Sequence, residues 1–155
     1  MAALAIVFGY LESLIPTGIP GVKLGLGNLV VLTAMYAVSA RGAAAVSAVK
    51  IVLCGLLFGS FAGLLYSLAG GAASFLVMLL LKKSGRFGLV GVSVAGGVVH
   101  NAAQLAVACA VLGGIKLAYM LPLLLVSGVA AGLLVGFAAI PCVRLAEKIA
   151  GKGEK

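Results

Sequence analysis

Aspartate is absent from this 155-residue chain, and only three residues are acidic: Glu12, Glu147 and Glu154. With no aspartate there is no aspartate-rich motif to hold magnesium for ionising a diphosphate, so that catalytic chemistry is excluded for this chain. Tryptophan is also absent, and there is a single histidine, His100. His100 has no G-x-S-x-G nucleophile and no H-E-x-x-H context. No G-x-x-x-x-G-K-[ST] loop occurs, so nucleotide binding by a phosphate loop is excluded. Catalysis is therefore not expected, and energy for any transport must come from a gradient or a partner. The cysteines, Cys54, Cys109 and Cys142, are far apart, odd in number and set in apolar runs. They show neither metal-ligand spacing nor a disulfide framework and read as small buried hydrophobes. No cofactor or metal is expected.

Charge is scarce too. Charged residues make up 9% of the chain, against about 25% in a soluble domain. Hydrophobic residues make up 64%, and the mean hydropathy is +1.32. A chain of this length forms one domain, and this one reads as all-α and polytopic in a membrane. The net charge of +8 does not indicate nucleic acid, because the basic residues sit at the ends of apolar runs.

About 20 apolar residues are needed to cross roughly 30 Å of hydrocarbon. Six segments meet or approach that length, near 1–15, 23–39, 43–59, 60–81, 88–112 and 117–143, giving a six-helix transmembrane domain over 1–143. The boundary at Gly59 and Ser60 is soft, but 39 continuous apolar residues make about two spans. Met1 to Phe8 look like a signal-peptide core, yet no basic region precedes them and no small-x-small cleavage site precedes Glu12. They are read as the first span, which begins at residue 1, so a short cytoplasmic leader is expected to be lacking. Pro16-Thr17-Gly18-Ile19-Pro20-Gly21 is a turn cluster. Lys82 to Arg86 and Gly113-Gly114 make further breaks. Residues 144–155 form a basic tail, read as a short amphipathic helix.

The basic residues give an orientation. Arg41, Lys82, Lys83, Arg86, Arg144, Lys148, Lys152 and Lys155 fall on one side, Lys23 and Lys116 on the other. By the positive-inside rule both termini are cytoplasmic, in a multi-pass protein of the cell membrane.

Glycines spaced by four recur at Gly55, Gly59 and Gly63 and at Gly128, Gly132 and Gly136; Ala2, Ala5 and Gly9 give the first segment a small face. Such stripes let helices approach closely in lipid, either within the bundle or against a partner.

The polar residues inside these runs are the candidate site: Glu12, Lys23, Asn28, Lys50, His100, Asn101 and Gln104. A charge at the centre of a bilayer is costly unless it faces a cavity or a partner. The orientation places Glu12 in the outer half, Lys23 at the outer boundary, and Asn28 about 7 Å deeper at 1.5 Å per residue. Lys50 lies about 10 Å from the cytoplasmic end of its helix by the same rise. His100 and Asn101 fall near the midplane, and Gln104 shares a helix face with His100. Each also has a structural reading. Glu12 pairs with Lys23 or Lys50, Lys23 anchors at the interface, Lys50 snorkels, and His100, Asn28 and Asn101 bridge helices. Taken together they are expected to line a pocket open to the outside, closed by the 16–21 loop.

Three stretches carry a resemblance: Tyr10-Leu11-Glu12-Ser13-Leu14-Ile15-Pro16, Pro20 to Asn28, and Gly96-Gly97-Val98-Val99-His100-Asn101-Ala102-Ala103-Gln104. In order, these resemble the Gx transporter family, also labelled heptaprenyl diphosphate synthase component I. That family is distantly similar to the substrate-binding S components of energy-coupling factor (ECF) transporters. The transporter label implies a membrane protein that binds or moves a small polar molecule, an anion among the candidates. Its partners would be an ECF-type coupling subunit, docked on a face such as Ala2, Ala5 and Gly9, and ATPases. The synthase label implies a non-catalytic membrane subunit beside a soluble polyprenyl synthase in menaquinone biosynthesis, or a subunit of a quinone-linked redox pathway.

Overall fold

The computed structural model describes residues 26–58, 61–112 and 115–150, together with Ala3, Val7 and Tyr10. Apart from Ala3, Val7 and Tyr10, the first expected segment therefore lies outside the described residues, as do Glu12, Lys23, Ala2, Ala5, Gly9, Gly59 and the 16–21 loop. The rest is helical, with no strand among the described residues. α1 spans Leu26–Ala37, α2 Ala40–Phe58, α3 Phe61–Ser84, α4 Leu89–Leu112 and α5 Leu121–Ile149; a 3₁₀ helix, Ile115–Met120, precedes α5.

Apolar sequence that is to sit in lipid has to satisfy its backbone internally, and helices do this segment by segment. The stretches Leu64–Ser84, Leu89–Val111 and Leu117–Ile149 are long and apolar enough to cross a membrane; Gly27–Ala37 is a shorter apolar helix. The chain is a membrane protein, all-helical among the described residues.

The turns follow local chemistry. α1 ends where the Val38 and Ser39 amides both donate to the Ala34 carbonyl, at 3.0 and 3.1 Å. Ser39 then caps α2, its Oγ accepting from the Gly42 amide at 3.0 Å. α3 runs on through Lys82, Lys83 and Ser84, so the polar break expected at Lys82 begins at Gly85 instead. Basic residues in a last helical turn face the negative end of the helix dipole, which favours continuation. Gly85 stops the helix with φ +67°, a left-handed conformation that glycine adopts without steric cost. α5 has Pro122 in its first turn and continues through Pro141 to Ile149, so the expected basic tail begins as part of that helix.

Neighbouring helices pack in a closed ring: α1 on α2, α2 on α3, α3 on α4, α4 on α5, and α5 back on α1. The α4–α5 seam is antiparallel and carried by glycine. Gly128 lies against Gly97, Gly132 against Val94 and Gly136 against Val90. A Cβ at Gly132 would stand 2.5 Å from Val94 Cα, so the backbones touch and the 128–132–136 stripe is used within the bundle.

The apolar core fills one end of the ring. Val31, Leu32, Met35, Ala43, Val46, Met78, Val92, Val135 and Ala139 are buried together there. These residues come from the end of α1, the start of α2, the end of α3, the start of α4 and the later half of α5. The same end carries Arg41, Lys82, Lys83 and Arg86. Lys82 ties it together: its Nζ donates to the Met35 carbonyl at the end of α1 and lies 4.7 Å from the centre of the Tyr36 ring.

Candidate functional site

The polar residues lie beyond this core, toward the middle and other half of the ring, in three groups. The first joins α1 and α2. Lys50 Nζ donates to Asn28 Oδ1 at 3.0 Å. The lysine stem crosses directly over Gly27, where a Cβ would collide with Lys50 Nζ at 2.5 Å. Glycine at 27 is thus what lets a cationic side chain from α2 lie on α1.

The second group lies on α4. His100 Nε2 and Gln104 Nε2 are 3.0 Å apart, the one-turn pairing expected from their spacing. Gly70 of α3 is packed onto this face; a Cβ there would stand 2.8 Å from Gln104 Cγ and 3.1 Å from His100 Cε1. His100 and Gln104 thus face α3.

The third group joins α4 to α5. Asn101 is buried, and its Nδ2 donates to the Leu124 carbonyl at 2.8 Å and to Ser127 Oγ at 3.1 Å. Ser127 Oγ in turn donates to the Leu124 carbonyl at 2.9 Å. This is the helix-bridging arrangement that an amide adopts in a membrane bundle.

A cavity lies between α1, α3, α4 and α5, lined by Asn28, Ser74, Ser93, Gly96, Gly97 and Gly132. Its volume is about 20 Å³, measured as space for the centre of a water molecule. That is room for one or two ordered waters, at roughly 10–15 Å³ each. Ser74 is 2% exposed, and its Oγ has no hydrogen-bond partner. A water in the cavity would satisfy it. Ser74 and Ser93 were not singled out by sequence, because a serine in a glycine-rich apolar helix looks like any other small packing residue.

The structure therefore brings Asn28 to Lys50, His100 to Gln104, and Asn101 to Ser127. Among the described residues, no three His, Cys, Asp or Glu side chains gather where a metal ion could be held. Glu12 and Lys23 lie outside the described residues. Gly55 and Gly63 lie on α2 and α3.

No curated protein and no solved structure matches the chain. Residues 1–141 match the family described as heptaprenyl diphosphate synthase component I. That match spans nearly the whole chain, and the chain belongs to the heptaprenyl diphosphate synthase component I family.

Proposed function

We infer that this protein is a non-catalytic membrane component of a heptaprenyl diphosphate synthase system, working beside a soluble synthase subunit. The family membership carries this reading. Two observations support it. The sequence has no aspartate for a magnesium–diphosphate centre, so prenyl transfer would fall to the partner. The chain is also built to stay in the bilayer, where a product with a long isoprenoid tail dissolves. In this reading the basic end is cytoplasmic by the positive-inside rule, facing the soluble subunit.

The test is reconstitution. The soluble synthase is assayed for long-chain product with its prenyl diphosphate substrates, over vesicles with and without this protein. The expected result is no product from the membrane protein alone and a higher product yield when both are present. A yield unchanged by the membrane protein would sink the reading.

A second reading is transport, in the manner of an ECF S component. The Asn28–Lys50 and His100–Gln104 pairs at middle depth favour it, since polar groups at that depth often line a pathway. Glu12 and Lys23 would complete the pocket. Retention of a small polar solute by the purified protein, lost in Lys50→Ala, would favour transport; no retention would remove it.

A further inference from the structure

α5 outruns the bundle. Gly136 packs on Val90, the second residue of α4, so α4 begins level with Phe137. α3 ends at Ser84, and Lys82 from its last turn reaches the end of α1, so those helices stop at a similar level. α5 continues to Ile149, about 18 Å past Phe137 at 1.5 Å per residue. The positive-inside rule puts the membrane boundary near that level, at Lys83 and Arg86 just before α4. The headgroup layer beyond it is only roughly 5–8 Å thick. With the boundary placed there by the positive-inside rule, the last two turns of α5 would reach past the headgroup layer.

Their surface does not look like a helix end meant for water alone. The bundle-facing stripe of α5, from Leu124 to Val143, is buried and then runs out of neighbours. On the opposite side Leu145 is 61% exposed and Ile149 is 80% exposed. These two are one helical turn apart and share a face. Arg144 and Lys148, also one turn apart and exposed, flank them. An apolar ridge edged by cations, held above a membrane on a continuous helix, matches the way a helix enters an apolar groove on a partner.

We propose that the projecting end of α5, through Leu145 and Ile149 with Arg144 and Lys148 at its edge, is the docking element for the soluble synthase subunit. The proposal rests on the component I reading above. The ridge would call for an apolar groove flanked by carboxylates on the partner, to complement Arg144 and Lys148. The distance past the boundary is what favours a protein over the bilayer as occupant.

The experiment uses the full chain in nanodiscs and the purified soluble synthase, with affinity measured in solution. Wild type is compared with the double variants Leu145→Glu/Ile149→Glu and Leu145→Ser/Ile149→Ser. Leu134→Ala, an exposed position on the bundle itself, is the control. Both doubles are expected to weaken binding tenfold or more while keeping wild-type helicity and thermal stability, with the control unchanged. Wild-type binding is also expected to weaken as salt rises. If wild type binds and both folded doubles bind equally well, the docking proposal fails and the component reading stands. If wild type does not bind the synthase at all, the component reading fails and this proposal falls with it. A fluorophore on Ile149→Cys separates the remaining possibility. Quenching by brominated lipids would show the extension lying in the bilayer and would overturn the proposal; no quenching is expected.

Discussion

Replacing Gly132 by alanine should force α4 and α5 apart. The added Cβ would stand 2.5 Å from Val94 Cα, 3.0 Å from the Ser93 carbonyl oxygen and 3.1 Å from the Val94 nitrogen. All three are backbone atoms, so no side chain can swing aside. Restoring ordinary contact, near 3.4 Å, needs about 0.9 Å of separation at this point. The neighbouring contacts at Gly128 and Gly136 lie on the same seam and would loosen with it. Overpacking of this kind costs about 1–3 kcal/mol. Alanine's better helix propensity offsets roughly 1 kcal/mol of that. The expected result is a net loss of about 1 kcal/mol. Gly91→Ala is the matched control, because its nearest neighbours, Phe87 Cβ and Cδ1, are 3.8 Å away. That variant keeps only the propensity gain, so the two should differ by about 2 kcal/mol. The assay is reversible unfolding in mixed micelles, followed by helical circular dichroism. Equal or greater stability of Gly132→Ala than of Gly91→Ala would refute the backbone-contact seam.

Asn101→Leu removes two hydrogen bonds to α5, but the Leu124 carbonyl keeps its bond from Ser127. The same unfolding assay should show a loss of about 1 kcal/mol, as for other interhelical hydrogen bonds in membranes; no loss would mean the bridge is idle. Lys82→Met removes the donor at the Met35 carbonyl and the cation over Tyr36, and should cost about 1–2 kcal/mol, with Lys82→Arg milder. Equal stability of all three proteins would show that Lys82 does not tie α1 to α3. Gly85→Ala should cost about 1 kcal/mol through its φ of +67° alone, since nothing lies within 4 Å to clash; Gly85→Asn should cost less. A neutral Gly85→Ala would contradict the left-handed stop.

Apolar run length made the helices legible, because a bilayer leaves the backbone few other choices. The expected segments near 60–81 and 88–112 correspond to Phe61–Ser84 and Leu89–Leu112. The helix expected from residue 117 starts at Leu121, because a 3₁₀ turn, as apolar as the helix it precedes, occupies Ile115–Met120. The Gly128–Gly132–Gly136 stripe could be found from its spacing, yet spacing does not say which helix it meets. The site was legible in parts. The His100–Gln104 pairing followed from one helical turn of separation. That Lys50 reaches Asn28 over Gly27 was not readable, because 22 residues of sequence separate donor and acceptor. The number of polar residues in apolar segments points to Asn101 and His100 lining one pocket. Consecutive residues on a helix point about 100° apart, however, and these two face α5 and α3 respectively. Ser74 and Ser93 carried no signal at all, since only the packing of several helices makes a cavity beside them.

The most direct measurement is gentle purification of this protein from its native membrane, followed by mass spectrometry of the proteins and small molecules that come with it. A membrane component of a prenyl synthase brings a soluble prenyl diphosphate synthase in near-stoichiometric amount, with or without a prenyl diphosphate. A polar metabolite together with ECF-type coupling and ATPase subunits, and no synthase, would contradict it.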